Sequence, residues 1–133
     1  MKKITAIIER GDDGGFSIYT EDVKGLIGTG MTEDEAKQDF IEVREEQAEF
    51  YAEKHGKSPA WANLKIDFRY SLAAFFIAFP YINATQFAKS IGINPSLMRK
   101  YKMGLASASG KQKQLIQENL NILTDKLQHV QFV

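Results

Sequence analysis

The chain has 133 residues, of which 44% are hydrophobic and 11% aromatic, so it can form a packed core in one ordinary domain or two small ones. It has no cysteine and only two histidines, His55 and His129, which excludes disulfides and thiolate-bound metals and predicts a protein without metal or cofactor. Glu9 and Arg10 interrupt the first apolar run too early for a secretory signal peptide. The apolar segment over residues 72–82 is too short to span a membrane. We therefore expect a cytoplasmic protein with no membrane association.

The net charge of zero conceals two halves of opposite sign. Residues 1–63 carry 8 basic and 14 acidic side chains, whereas residues 64–133 carry 9 basic and 3 acidic ones. The sequence has no carboxylate side chain between Asp67 and Glu118. This asymmetry predicts different partners for the two halves, although attraction between the halves, within one chain or within a dimer, would also explain it.

The first predicted elements form a β-hairpin. Ile4, Ala6 and Ile8 alternate with their neighbours, and residues 16–20 alternate again. Residues 11–15 between them are glycine and aspartate only, which favours a turn. Phosphate binding at these glycines is disfavoured because the two aspartates would repel an anion and no lysine follows.

A third short strand over residues 26–30 precedes a long helix. Thr32 and Glu35 can form a capping box, and the helix is expected to end near Gly56. The stripe predicted to pack on the sheet is Ala36, Phe40, Val43, Gln47 and Phe50. The opposite face, with Glu42, Glu45, Glu46, Glu49 and Glu53, is expected to be solvated. Alternation over residues 64–70 predicts a fourth strand, which gives the order β-β-β-α-β.

From Ser71 onward the apolar residues recur at the spacing of a helix, and Pro80 is expected to end that helix. We therefore predict an α+β fold with an N-terminal domain over residues 1–70 and an all-α domain over residues 71–133. The last long helix is expected to begin near Ser109. Its inward-facing residues are expected to be Ile116, Leu120, Leu123 and Leu127. Val130 and Phe132 alternate with their neighbours and predict a short C-terminal strand, which would pair within the chain or with a symmetry mate.

Two short helices with a tight turn between them are predicted before this last helix. Asn83 is suited to cap the first helix and Gly92 to end it, whereas Asn94 is suited to cap the second. Ala88 lies four residues before Gly92 and Met98 six after it, so a small residue falls where the helices cross and an apolar one where the second helix docks. This spacing is typical of a helix-turn-helix, and the alternative is an ordinary helical hairpin with a solvated basic face.

The second of these helices carries the candidate DNA-binding side chains. Ser96 and Lys100 are the best candidates to read base edges, whereas Arg99 and Lys102 suit phosphates. Gln86, at the start of the first helix, is expected to reach the DNA backbone. The full candidate set is Gln86, Asn94, Ser96, Arg99, Lys100 and Lys102.

The order of these elements resembles the HicB family of antitoxins from bacterial toxin-antitoxin pairs. The N-terminal segments that carry the resemblance are residues 4–10 (ITAIIER), 15–17 (GFS), 25–30 (GLIGTG) and 32–36 (TEDEA). The C-terminal segments are residues 86–94 (QFAKSIGIN) and 127–132 (LQHVQF). No single segment is specific to the family, and the resemblance depends on their succession over nearly the whole chain.

This resemblance implies a partial ribonuclease-H-like (HicB-like) domain that silences a small mRNA-cleaving toxin of the HicA type. It also implies a helix-turn-helix that binds operator DNA, and dimers or larger assemblies. Gln86, Ser96 and Lys100 map to DNA-contacting positions by this resemblance, whereas Pro95 departs from the polar residue usual in phage repressors. The alternatives are a regulator without a toxin partner, and an interaction module that binds RNA or an acidic protein.

An enzyme is not expected. A metal-dependent nuclease would need clustered carboxylates, and the candidates are Glu9, Asp12, Asp13, Glu21, Asp22 and Asp67. Most of them lie in or beside the first hairpin rather than on central strands, which favours turn and surface acids. Thr5, Ser17 and Thr20 have no nearby histidine base in the sequence, which disfavours a nucleophilic triad.

Overall fold

The computed structural model describes residues 2–133 and shows a mixed α+β fold. Its strands are β1 (Lys3–Arg10), β2 (Phe16–Thr20), β3 (Ile27–Gly30) and β4 (Lys65–Tyr70). Its helices are α1 (Glu33–His55), α2 (Leu72–Ala78), α3 (Ala84–Ile91), α4 (Pro95–Met103) and α5 (Gly110–Gln128). The predicted order β-β-β-α-β is thereby confirmed, as is the helical segment after Ser71. Within residues 2–133 no helix is both long and apolar enough to cross a membrane.

The chain divides into a first compact unit that ends at Phe79 and a second unit, Pro80–Val133. The sequence placed the boundary at residue 70, nine residues earlier. The difference is α2, which turns Ala73, Ala74 and Phe76 inward, with Ala74 in the core of the sheet. Helical periodicity identified α2 as a helix, but it does not say against which core a helix packs.

The first unit is built on a four-stranded sheet in the order β3-β2-β1-β4. β1 pairs antiparallel with β2 and parallel with β4, and the chain between these parallel neighbours runs through β2, β3 and α1. The inward residues of β1 are Ile4, Ala6 and Ile8, all fully buried, which confirms the predicted alternation. Phe40 of α1 is buried among them, and its ring meets that of Phe68 edge-on at 6.2 Å between centroids.

Close packing of α1 on β3 depends on a glycine. A Cβ atom at Gly28 would lie 2.4 Å from the backbone nitrogen of Phe40, so no larger residue fits without moving the helix. The short glycine-containing strand β3 therefore brings the α1 backbone against the sheet.

The N-terminal half of α1 also bonds to β3. The Thr32 hydroxyl accepts a hydrogen bond from the Glu35 N–H at 3.1 Å, as the predicted cap requires. The Glu35 carboxylate accepts from the N–H of Met31 instead of Thr32, which corrects the predicted capping box by one residue. Asp39 accepts a further bond from the Thr29 N–H at 2.8 Å. Two carboxylates of α1 thus occupy backbone donors along and just beyond β3.

The predicted inward stripe of α1 holds only in its first half. Ala36 and Phe40 are fully buried and Val43 is half-buried, whereas Gln47 is exposed and Phe50 is 64% exposed. In the later turns the inward positions are taken by other residues. Arg44 donates to the Leu64 carbonyl at 2.6 Å, and the Tyr51 ring lies 6.4 Å from that of Trp61.

The sheet face opposite α1, here called the outer face, carries a row of side chains in register across all four strands. The row consists of Ile27, Tyr19, Ile7 and Arg69. Ile7 and Tyr19 are half-buried, and Ile27 is 55% exposed. On the same face, Asp67 accepts hydrogen bonds from Lys3 at 3.1 Å and from Arg69 at 3.0 Å. These two cations lower the pKa of Asp67.

The second unit contains α3, α4 and α5. Phe87, Met98 and Tyr101 are buried in it, and Ile116 is the one α5 residue that is fully buried. Leu120 and Leu123 are half-buried as expected, but Leu127 is exposed, which contradicts its predicted inward position. Residues 130–133 form no strand within the single chain, so the predicted C-terminal strand is absent there.

Candidate nucleic-acid interface

A three-residue turn joins α3 to α4. Gly92 has φ +79°, and its N–H donates to the Ala88 carbonyl. Ile93 donates to the same carbonyl at 3.0 Å, and its buried side chain anchors the turn. Asn94 then caps α4 by accepting a hydrogen bond from the Ser96 N–H at 2.8 Å. The turn is therefore fixed by backbone bonds and a buried side chain.

The contact between α3 and α4 contains the small residue and the apolar residue that the sequence predicted there. Ala88 and Met98 are both fully buried. Pro95 lies at the first position of α4, where the absence of an N–H costs no helical hydrogen bond. Gly104, with φ +74°, ends α4 in the left-handed conformation. The apolar sides of both helices are thus packed inward, and the polar side of α4 faces solvent.

Arg99 connects the two helices on their exposed side. Its guanidinium donates to the Thr85 hydroxyl at 3.2 Å and to the Ser96 hydroxyl at 3.1 Å. A surface groove of about 450 Å³ lies beside these contacts, and Arg99 and Lys102 both line it. The guanidinium is therefore held in place by two hydroxyl groups beside this groove, and no carboxylate of residues 2–133 pairs with its charge.

The remaining basic residues of α4 are exposed on different sides of the helix. Ser96 and Lys100 are four residues apart and share one side, whereas Lys102, two residues beyond Lys100, lies more than half a turn further round. Lys100 and Lys102 are in the last turn of α4, where cations also stabilise the helix C-terminus. The structure therefore brings Ser96, Arg99 and Lys100 together on one exposed surface and sets Lys102 beside the groove.

Gln86 and Asn94 lie at the N-terminal ends of their helices and are exposed. The backbone N–H of Gln86 is capped by Asn83 at 2.9 Å, and its side chain extends outward. The side-chain oxygen of Asn94 is engaged in its own cap, so its amide group is the part left to meet a ligand. All six predicted residues are thus exposed on α3, α4 or the turn between them.

The second unit is strongly basic. It contains seven lysine and arginine side chains and two acidic ones, a balance of +5. Its two acids, Glu118 and Asp125, are both in α5 and none is in α3 or α4. A surface with this balance attracts polyanions.

Thr85 is a site residue that the sequence did not indicate. It lies in the first turn of α3 and is half-buried, and it accepts the hydrogen bond that orients Arg99. The two residues are fourteen positions apart, so periodicity on a single helix does not relate them. The fixed length of the turn between α3 and α4 was the available signal.

The carboxylates considered for a nuclease are separate from one another. Glu9 accepts hydrogen bonds from the Ser71 hydroxyl at 2.6 Å and from the Arg10 N–H, and Asp22 accepts from the Thr5 N–H at 2.8 Å. Asp67 is held by Lys3 and Arg69. Across residues 2–133, no three histidine, aspartate or glutamate side chains converge in a way that could hold a metal ion.

Comparison with protein-family models, with curated proteins and with solved structures finds no match to this chain.

Proposed function

We propose that the protein is an antitoxin-like transcriptional regulator of the HicB type, which binds operator DNA through α3 and α4. The observation that carries the proposal is the pair of short helices with a fixed turn, whose outer surface presents Ser96, Arg99 and Lys100 and no carboxylate. α4 is the recognition helix in this proposal, and α3 crosses the DNA backbone. A helix of this size fits the major groove of B-form DNA.

The positions of the side chains support separate roles, with some residues contacting bases and others contacting phosphates. Ser96 and Lys100 lie on the side of α4 that would face base edges, where a hydroxyl and an ammonium group can donate to purine acceptors. Arg99 and Lys102 line the groove beside the N-terminus of α3, which suits a backbone phosphate. Gln86 contacts the neighbouring phosphate.

A mobility-shift titration against the duplex upstream of the protein's own gene, at near-physiological salt, tests this division. We expect saturable, sequence-selective binding by the unmodified protein. Lys100→Ala should weaken selective binding more than non-selective binding, because a base contact discriminates between sequences. Lys102→Ala should weaken both equally and lower the salt slope by about one, because one phosphate contact is lost. Equal effects of the two substitutions on every sequence would contradict the assignment.

In this proposal the first unit sequesters a HicA-type toxin on its outer face. The unit carries ten basic and fifteen acidic side chains, a balance of −5. A toxin that cleaves mRNA must bind a polyanion and therefore carries a basic surface, which an acidic partner complements. Many of these acids lie on α1, on the opposite side of the sheet, so the outer face itself supplies apolar contact area through the row Ile27, Tyr19 and Ile7.

Co-expression with the small toxin encoded beside the gene tests the outer face. Ile27→Glu should abolish rescue of growth and retention of the toxin during purification, because it buries a charge in the interface. Phe50→Glu is the matched control, since Phe50 is similarly exposed but lies in α1 on the opposite side of the sheet. Rescue by Ile27→Glu at the level of the control would rule out this face, whereas operator binding should be unchanged in both variants.

A further inference from the structure

The surface groove beside Arg99 has a basic part and an apolar part. Its volume of about 450 Å³ falls within the range of about 300–1,000 Å³ that is usual for small-molecule sites. The segment before α3, the first turn of α3 and the second half of α4 all contribute to its lining. The operator contacts proposed above use only the basic part.

The basic part consists of Arg99, Lys102 and the hydroxyl of Thr85. The bonds from Arg99 to the hydroxyls of Thr85 and Ser96 engage two of the five N–H donors of its guanidinium, so other donors remain to meet an oxyanion. Among residues 2–133, those that line the groove include no aspartate or glutamate. This part of the lining therefore suits an anionic group.

The apolar part of the lining is led by an exposed aromatic ring. Tyr81 and Met103 both line the groove and are 79% and 58% exposed, and Pro80 and Ile82 line it with them. Met103 lies four residues after Arg99 and thus on the same side of α4. An aromatic ring and a thioether offer flat, polarisable surface to a planar ring of a ligand. None of these apolar side chains belongs to the proposed DNA-contacting set.

We propose that this groove binds a small molecule of the nucleoside monophosphate class, in which a phosphate is joined to a planar base. The phosphate meets Arg99, Lys102 and Thr85, and the base stacks on Tyr81. Two cations match the charge of about −1.5 to −2 that a phosphate monoester carries at neutral pH, whereas a carboxylate would supply a single negative charge. The groove is open to solvent, so binding depends on both the anionic and the aromatic contact.

The ligand would compete with operator DNA, and this consequence rests on the proposed function. Arg99 and Lys102 are the side chains proposed to meet a backbone phosphate, and a ligand phosphate would occupy the same donors. A bound ligand therefore lowers operator affinity, and by linkage the operator lowers the ligand affinity by the same factor. The regulator would in this way respond to a small molecule.

Isothermal titration calorimetry of the full chain tests the groove without DNA. Adenosine monophosphate is the probe, and adenosine and inorganic phosphate are the two partial probes. We expect adenosine monophosphate to bind at least about tenfold more tightly than either partial probe, because only this probe makes both contacts. Equal affinity for adenosine monophosphate and inorganic phosphate would overturn the proposal, since the base would then add nothing.

Replacement of Tyr81 locates the binding. Tyr81→Ala should weaken binding of adenosine monophosphate about tenfold and leave binding of inorganic phosphate unchanged, whereas Tyr81→Phe keeps the ring and should bind both normally. Tyr81 is exposed, so both variants should keep their helical circular dichroism. Leu105→Ala is the matched control, since Leu105 is 70% exposed after α4 and does not line the groove. Equal losses in Tyr81→Ala and Leu105→Ala would contradict the assignment.

A mobility-shift titration with and without adenosine monophosphate separates this inference from the proposed function. The ligand should lower the operator affinity of the unmodified protein, and it should do so much less in Tyr81→Ala. Ligand binding by a protein that binds no operator would support the groove and overturn only the proposed function. Selective operator binding by a protein that binds no adenosine monophosphate would overturn the groove, and ligand binding with unchanged operator affinity would overturn the competition.

Discussion

Replacing Arg99 and Lys100 together with alanine should reduce selective operator binding by at least about 30-fold, since the two proposed charge-assisted contacts are worth roughly 1–3 kcal/mol each. Arg99 is pre-positioned by Thr85 and Ser96, so little side-chain entropy would be lost in the proposed contact with DNA. The measurement is the mobility-shift titration with the upstream duplex and a scrambled competitor.

The control for this variant removes the same charge elsewhere in the second unit. Lys111 and Lys113 are exposed in the first turn of α5 and are not part of α4. Their double replacement with alanine lowers the net charge by the same two units and should cost no more than about tenfold, through long-range attraction alone. Comparable losses in the two variants would mean that the DNA responds to net charge and that α4 is not the reading element.

Replacing Phe40 with alanine should destabilise the first unit by about 3–5 kcal/mol, the usual cost of truncating a fully buried phenylalanine. The ring is completely buried and contacts Phe68, and the backbone at Phe40 lies against Gly28, so the helix cannot move inward to fill the space. Urea unfolding followed by tryptophan fluorescence measures the loss, because Trp61 is the one tryptophan and packs on this core.

Phe50 provides the comparison within the same helix. It was placed on the same apolar stripe by its spacing, but it is 64% exposed, so Phe50→Ala should change the free energy of unfolding by no more than about 0.5 kcal/mol. Similar losses at both positions would mean that the far end of α1 is covered in solution.

The contrast between Phe40 and Phe50 shows where sequence reasoning succeeded and where it stopped. Strand alternation and helix caps are local signals, and they located β1 to β4 and the helices to within a few residues, although alternation also predicted a C-terminal strand that the single chain lacks. Burial is not local, because it depends on what an element packs against. α1 has 23 residues. In its later turns the inward side is determined by contacts with the segment before β4: Arg44 bonds to Leu64, and the ring of Tyr51 lies near that of Trp61.

The same limit explains the boundary and the candidate site. The pattern of α2 was equally compatible with either neighbouring core, and only its packing assigns it to the first unit. The exposed residues of α4 followed from its caps and its inward side, so the sequence was sufficient to place them. The bond from Arg99 to Thr85 required the angle between two helices, which no spacing along one helix specifies.

The bonds from the carboxylates of Glu35 and Asp39 to the backbone of Met31 and Thr29 also bear on how the protein behaves at high concentration. An uncovered sheet margin recruits strands of other molecules through its free amides, which is a route to amyloid-like growth. At the β3 margin the amides of Thr29 and Met31 are already engaged, and the carboxylates add negative charge there. This margin is therefore a poor template for fibril formation, even though β3 is short and rich in glycine.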